Sequence, residues 1–267
     1  MAATETERSR TGKSQTIERA GLILACFSTE TPHLTLADLV SKLDLHQSTV
    51  YRYVASLEGA GLLERDPRRG GYRIGLRVIE LSNIALNQLD VRKHALEEMD
   101  RLRDEHNVLV SLGVLFEGDI LHIAHSVPSA WPRWYTTVGR RAVAHCTALG
   151  KVVLAYRPWP EVVELIERFG WRPYTPNSIS DFPRLEAELG TIRERGYAVD
   201  LEERNRGTVC LGAPIRDFTG TVIASLSVSG KTDRVTPEYQ ERILPDLLEA
   251  ADRISFGLGF HSSSAYL

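Results

Sequence analysis

The stretch from Thr35 to Gly61 constrains the fold more than any other part of this 267-residue chain. Its apolar residues recur at helical spacing in two short runs, which are separated only by the segment from Leu43 to His46. Thr35 is a suitable N-cap for the first run, and Gly59 and Gly61 end the second. Two short helices joined by so tight a turn form a helix-turn-helix.

The second helix of this unit carries polar side chains opposite its apolar stripe. If Val50, Val54 and Leu57 point inward, the outward face offers groups that suit a DNA groove. Glutamine pairs with adenine, arginine with guanine or a phosphate, and hydroxyls reach phosphates or base edges. An ordinary helical hairpin with a solvated polar face is the alternative. The expected DNA-contacting residues of the helix-turn-helix are Thr35, His46, Gln47, Ser48, Thr49, Tyr51 and Arg52.

A turn that is rich in arginine and glycine follows the second helix and favours DNA binding. Two short segments flank Pro67–Gly71, with Arg68 and Arg69 at the tip, and this pattern predicts a β-hairpin. A basic hairpin directly after a recognition helix is the wing of a winged helix. Residues 1–12 are polar and are expected to form a disordered arm. Lys13 follows this arm and either reaches a minor groove or remains solvated.

Charge and cysteine usage limit the class of protein. A net charge of −3 argues against a protein that coats nucleic acid indiscriminately, but it does not exclude site-specific binding. Three cysteines that lie far apart, without a Cys-x-x-Cys motif, fit a reducing cytoplasm. The polar N-terminus is no signal peptide, and no apolar run approaches a membrane span. We therefore expect a cytoplasmic protein without a membrane partner.

The pattern divides the chain after the wing. Residues 13–74 form the winged helix-turn-helix domain, and residues 75–91 form an uninterrupted linker helix with a broad apolar face. An apolar face on a linker needs a partner, and a second copy of the chain is the simplest one, so a homodimer is expected. Residues 92–267 alternate between strands and helices around a mainly antiparallel sheet, which predicts an α+β sensor-like domain.

No catalytic or cofactor-binding motif stands out in the sensor-like domain. There is no Gly-x-Ser-x-Gly elbow, and the segment Ser225–Thr232 has serine where a phosphate loop needs its first glycine. His122 and His125 lie three apart on a predicted strand, hence on opposite faces, which is poor zinc geometry. We expect both to be structural, and we expect neither an enzyme nor a metal or cofactor.

A candidate pocket remains for a small organic acid. Trp131, Trp134 and Tyr135 would supply apolar walls, and the start of a helix after His145 would offer N–H groups to a carboxylate. A small aromatic acid suits flat walls, whereas an aliphatic oxo- or hydroxy-acid is the alternative if the tryptophans face the core or a subunit contact. The strand residues added to this pocket are Asp200, Cys210, Ser227 and Ser229.

Across nearly its whole length the chain resembles the isocitrate-lyase-regulator (IclR) family of bacterial transcription factors. The resemblance is carried by Ser48–Arg52, Tyr72–Gly75, His145–Lys151, Gly196–Glu203 and Cys210–Asp217; Arg216 and Cys146 depart from the usual residues. It implies a winged helix joined by the linker helix to a GAF-like effector domain, operator DNA as partner, dimers and often dimers of dimers. Both repressors and activators occur in the family.

The resemblance also implies a set of effector contacts. Most of these residues belong to the candidate pocket above, and the positions beside the helix start are added to them. Cys146 belongs to the set if it faces the ligand. The implied contacts are Trp131, Trp134, Ala142, Thr147, Ala148, Asp200, Thr208, Cys210, Ser227 and Ser229, and we add Tyr135, His145 and Cys146 as candidates.

Overall fold

The computed structural model describes residues 15–129 and 137–261. Lys13, Trp131, Trp134 and Tyr135 lie outside the described residues. The chain divides into two compact units, an N-terminal unit of residues 1–86 and a C-terminal unit of residues 87–267. No helix in the described part of the chain is long and apolar enough to cross a membrane.

The N-terminal unit contains the predicted winged helix-turn-helix. The apolar positions Val50, Val54 and Leu57 point inward as predicted, and Tyr53 joins them in a core shared by the first three helices and the hairpin. The elements are α1 (Gln15–Ala25), α2 (Leu36–Leu43), α3 (Gln47–Gly59), β1 (Leu63–Arg65), β2 (Tyr72–Ile74) and α4 (Arg77–Asn87).

Local chemistry fixes the turn between α2 and α3. The Thr35 hydroxyl accepts a hydrogen bond from the Asp38 N–H at 3.2 Å, and the Asp38 carboxylate accepts one from the Thr35 N–H at 2.8 Å. This reciprocal capping box begins α2, and the predicted N-cap role of Thr35 is confirmed. Asp44 ends α2 in the left-handed conformation, with φ of 50°, so the chain reverses within a few residues.

The linker region differs from the sequence prediction at one point. The predicted uninterrupted helix ends at Asn87, and a new helix begins after Leu89, whose backbone is extended with ψ of 98°. The Arg92 N–H then donates to the Leu89 carbonyl, which starts the second helix. Within the single chain α4 has no buried residue. Its exposed apolar side chains include Ile79, Leu81 and Ile84.

The C-terminal unit is an α+β domain, as predicted. In its described part, six antiparallel strands form one sheet in the order β5-β4-β3-β8-β7-β6. The elements are α5 (Asp90–His106), β3 (Leu109–Phe116), β4 (Asp119–Ser126), β5 (Arg141–Val143), α6 (Ala148–Ala155), α7 (Trp159–Phe169), α8 (Phe182–Arg195), β6 (Ala198–Leu201), β7 (Thr208–Arg216), β8 (Val222–Lys231) and α9 (Pro237–Gly257).

Helices cover both faces of this sheet. Helices α5 and α9 pack on one face, and α6 packs on the other against β7, β8 and β6, backed by α8. The predicted hairpin between β3 and β4 is confirmed, with a two-residue turn at Glu117 and Gly118. Strand β5 was not predicted; its three residues are too short to show alternation. Helix α6 begins only at Ala148, after a 3₁₀ turn at Ala144–Cys146.

Candidate nucleic-acid interface and ligand cavity

The outward face of α3 is exposed to solvent in the described part of the chain. Gln47, Ser48, Tyr51 and Arg52 are exposed, and more than half of the Tyr51 side-chain surface, 54%, is accessible. The N-cap of α3 is His46, whose side chain makes no capping hydrogen bond and is also exposed. A helix that buries only one stripe therefore presents groove-reading groups at its N-terminal half.

The wing presents its two arginines by a turn held from inside. The buried Asp66 carboxylate accepts hydrogen bonds from the N–H groups of Arg68 at 2.9 Å and Arg69 at 3.2 Å. These bonds hold the pKa of Asp66 below its usual range, with the His33 and Arg73 charges adding to the effect. Both arginine side chains are exposed. The turn thus fixes the backbone and leaves two cations facing solvent.

Two of the predicted DNA-contacting residues, Thr35 and Thr49, also interact with the helix-turn-helix itself. Thr35 is exposed, but its hydroxyl serves the capping box, donating to Asp38 at 2.7 Å, so helix capping accounts for this threonine. Thr49 is partly buried against the helix-turn-helix. Their DNA contacts stay predictions.

A cavity opens in the C-terminal unit between the start of α6 and the sheet. It encloses about 130 Å³, close to the roughly 150 Å³ of an engineered apolar cavity that binds benzene. A single ring therefore fits its size. The lining residues are Leu109, Ser111, His122, His125, Arg140, Arg141, Ala142, Thr147, Ala148, Leu149, Asp200, Arg204, Asn205, Cys210, Ser227 and Ser229.

The cavity floor consists of residues in register across the sheet. Because side chains alternate along a strand, cross-strand partners in one row and those two residues away share a face. The first row has a polar residue at its β6 end, and the second has one at its β4 end. The first row is Asp200, Cys210, Ser229 and Leu109, and the second is Ala198, Gly212, Ser227, Ser111 and His125.

The start of α6 lies over this floor. Thr147 caps the helix, accepting from the Gly150 N–H at 3.2 Å and donating to the Val143 carbonyl at 2.9 Å. Gly212 is required beneath it, since a Cβ there would lie 2.9 Å from the backbone of Ala148. The first N–H groups of a helix have no intrahelical acceptor and favour an anion, so this end of the cavity suits a carboxylate.

A buried ionic cluster adjoins the Asp200 end of the floor. Lys151, only 1% exposed, pairs with Glu203, with Glu188 at 3.0 Å and with the Val199 carbonyl at 2.6 Å. Asp200 accepts from the Glu203 N–H at 2.7 Å. Burial raises the pKa of Asp200 to about 6, against the lowering effects of the Glu203 backbone and Lys151. No local pattern around Lys151 predicted that this lysine would be buried.

The two histidines on β4 are on the same face, contrary to the sequence prediction. The partner of Leu112 on β4 is Ala124, but the next residue, Gly113, pairs with His122, so Ile123 is an extra residue in β4. This β-bulge shifts the alternation by one residue. The rings of His122 and His125 stack with centroids 4.8 Å apart. The Ile123 carbonyl accepts a hydrogen bond from the Arg92 side chain at 3.2 Å.

Some predicted effector contacts do not line the cavity. The His145 ring accepts a hydrogen bond from the Arg172 N–H at 3.1 Å and packs edge-on against Trp171, so it belongs to the core of this unit. Cys146 is fully buried, and burial raises its thiol pKa to about 12. Thr208 lies at the start of β7, opposite Lys231. Ala142, Thr147, Ala148, Asp200, Cys210, Ser227 and Ser229 do line it.

The described residues hold one group of side chains close enough to share a metal ion, namely Glu105, His106 and Asp246. Glu105 pairs with Arg101 at 3.0 Å, and Asp246 and His106 pair with each other at 2.7 Å. The group lies outside the cavity lining.

Comparison with known families covers both units. Residues 16–67 match the IclR helix-turn-helix domain. Residues 83–256 match the model described as bacterial transcriptional regulator IclR C-terminal.

Individual relatives extend over most of the chain. The regulator KdgR of Escherichia coli is 32% identical, with 87% of this chain and 88% of the relative covered. The regulator XynR of the same organism is 29% identical, with 92% and 98% covered. An IclR homologue of Microbacterium hydrocarbonoxydans, solved as a complex with 4-hydroxybenzoate, is 26% identical over 91% of this chain and 98% of that one, with a TM-score of 0.79.

Proposed function

Because the chain belongs to the IclR family of bacterial transcriptional regulators, we propose that it is a repressor whose operator affinity is controlled by a small aromatic acid. It is a ligand-responsive transcription regulator with a DNA-binding helix-turn-helix, and it is not an enzyme, since its relatives are regulators. A regulator of this kind would act in the cytoplasm, where its operator DNA lies. No cofactor enters this proposal.

The DNA-binding part of the proposal rests on the exposed face of α3 together with the wing tip. Gln47, Ser48, Tyr51 and Arg52 would enter the major groove, and Arg68 and Arg69 would neutralise phosphates. A homodimer, assembled into a dimer of dimers, would use the apolar side chains of α4 in its subunit contact. Such a dimer reads a near-palindrome with half-sites about 34–36 Å apart.

A binding selection followed by a gel shift tests this part. The protein should select one near-palindromic sequence, and the DNA upstream of its own gene is the first candidate. Its affinity should fall steeply with salt because several cationic side chains release counterions. The absence of any preferred sequence at moderate salt would contradict site-specific binding. A transcription assay with the selected DNA then distinguishes a repressor from an activator.

The effector part of the proposal rests on the ring-sized cavity with a helix start at one side. The effector carboxylate would meet the first N–H groups of α6 and the hydroxyls of Ser227 and Ser229. The complex of a homologue with 4-hydroxybenzoate supports this class of ligand. Titration with benzoates and with aliphatic oxo- and hydroxy-acids, followed by tryptophan fluorescence and by DNA affinity, tests it. An aliphatic acid that binds while benzoates have no effect would replace the aromatic effector.

A further inference from the structure

We propose that His122 and His125 form a recognition site for an uncharged ring hydroxyl, which makes the effector a hydroxylated aromatic acid. The proposal rests on the proposed aromatic effector and adds the group that selects among such acids. It concerns residues that alternation along β4 had placed on opposite faces and that the β-bulge brings together.

The histidine pair lies at the far end of the cavity floor from Asp200. Going from Asp200 on β6 to His125 on β4, the floor crosses β7, β8 and β3. Four strand spacings of about 4.8 Å separate these two ends along the sheet. The start of α6 lies over Gly212 on β7, next to the Asp200 side. A ring whose carboxylate is held at the helix start therefore extends its opposite edge towards the histidines.

The two imidazoles have hydrogen-bonding capacity that the described residues do not use. Nδ1 of His122 and Nε2 of His125 are buried without a hydrogen bond of good geometry to a described residue, and the Thr137 backbone comes close enough to influence the His125 ring. His125 is oriented by Ser111, whose Oγ lies 2.9 Å from its Nδ1. A buried polar atom without a partner costs stability, and a ligand that supplies the partner recovers that cost on binding. A hydroxyl both donates and accepts, so it satisfies neutral imidazoles in either tautomer.

The two imidazoles are uncharged groups in the cavity wall. Burial lowers the pKa of His122 to about 3, with the neighbouring His125 and Arg140 adding to the effect. Burial also lowers the pKa of His125 to about 4, although the Thr137 backbone opposes this more than Arg140 adds to it. Both rings are therefore neutral near pH 7 and give a carboxylate no counter-charge. The Arg141 guanidinium is already bound to Glu117, Asp119 and the Phe116 carbonyl. The neutral imidazoles suit a hydroxyl, and the unpaired N–H groups at the helix start suit the carboxylate.

The test compares 4-hydroxybenzoate, 2-hydroxybenzoate and benzoate as probes, with calorimetry on the full-length protein. The wild type should bind 4-hydroxybenzoate about tenfold more tightly than benzoate, the effect of one or two net hydrogen bonds. The 2-hydroxy isomer, whose hydroxyl lies beside the carboxylate, should show no such gain. His122→Phe and His125→Phe keep a flat ring but remove the nitrogens, so each should reduce the preference towards unity and leave benzoate affinity within about twofold.

Controls separate this proposal from the one it rests on. Ser111→Ala removes only the group that orients His125 and should reduce the preference partially, which provides a test even if a phenylalanine variant fails to fold. His94→Phe, the same change at an exposed histidine of α5, should leave all three affinities unchanged.

The other possible results show which of the two proposals fails. If no benzoate binds the wild type, the aromatic effector itself is wrong. If 4-hydroxybenzoate binds but is not preferred, or the preference survives both phenylalanine substitutions, the histidine assignment is overturned and the aromatic effector stands. An equal loss of 4-hydroxybenzoate and benzoate affinity in the histidine variants would place the carboxylate at that end and would also overturn it.

Discussion

The two units of this protein expose their functional groups to water to opposite degrees. In the N-terminal unit, the α3 face and the wing arginines are exposed and stand on an apolar core to which they contribute little. In the C-terminal unit, Asp200, Ser227 and Lys151 are buried, and each must be satisfied inside the fold. Substitution should therefore separate function from stability in the first unit and couple them in the second.

Lys151→Met should produce the largest effect. It leaves Glu203 buried without its cation, and breaking a buried pair from one side costs about 3–5 kcal/mol of unfolding free energy. All four tryptophans lie in the C-terminal unit, so denaturation followed by tryptophan fluorescence reports it directly. Arg52→Met, the matched change at an exposed cation of the N-terminal unit, should stay within about 0.5 kcal/mol in denaturation followed by circular dichroism, since that unit contains no tryptophan. A loss below about 1 kcal/mol for Lys151→Met would show that water reaches the cluster.

Asp200 should give the C-terminal unit an unusual pH dependence. Its pKa is raised from 3.8 to about 6 by burial, so the folded state binds this proton more tightly than the unfolded chain does. The stabilisation of the folded state by protonated Asp200 is full below pH 4. It is lost as the pH rises through 6, in total about 3 kcal/mol of unfolding free energy. Asp200→Asn should remove this component in denaturation curves collected from pH 4 to pH 8. Identical pH profiles for the two proteins would contradict a buried, protonated Asp200.

Substitutions on the α3 face should change sequence preference at nearly constant stability. Arg52→Ala or Gln47→Ala should relax discrimination at one operator position by about 1–3 kcal/mol if the side chain makes a bidentate base contact. Binding selections for each variant, beside a thermal melt, provide both measurements. An unchanged preference in these variants would assign base reading to another element.

Substitutions at the wing tip should have the smallest and most uniform effect. The double change of Arg68 and Arg69 to Ala should weaken every DNA sequence alike and reduce the slope of log affinity against log salt by about 1.8, or 0.9 for each lost phosphate contact. Affinities of the preferred and a scrambled duplex across a salt series measure this. A changed preferred sequence in the wing variant would reverse the roles of the wing and α3.

Sequence reasoning succeeded where structure depends on neighbours along the chain. Thr35, the period of Val50, Val54 and Leu57, and the arginine-rich turn are local signals, and the N-terminal unit follows from them. The hairpin at Glu117 and Gly118 is another.

The cavity could not be predicted to the same extent. Its candidate residues on β6, β7 and β8 were identified from the sequence, but the strict period of two gave the wrong face for one of the two β4 histidines, because the extra residue Ile123 has no distinctive sequence signal. The position of Lys151 in an apolar helix likewise does not predict that Glu188 and Glu203, from distant segments, will pair with it. Contacts between distant segments determine both the strand register and the lysine cluster, and a local sequence pattern does not predict such contacts.

The β-bulge at Ile123 also has a consequence for how ligand selectivity changes during evolution. In most binding sites a new preference requires a new side chain, one substitution at a time. Here the side chain presented to the ligand depends on how many residues separate Ala124 from the turn at Gly118. Removing one codon between the turn and His122, such as that of Leu121, would restore strict alternation and move His122 to the opposite face of the sheet without altering any residue that remains. A change in strand length, rather than in residue type, is thus a direct genetic route to a different cavity lining.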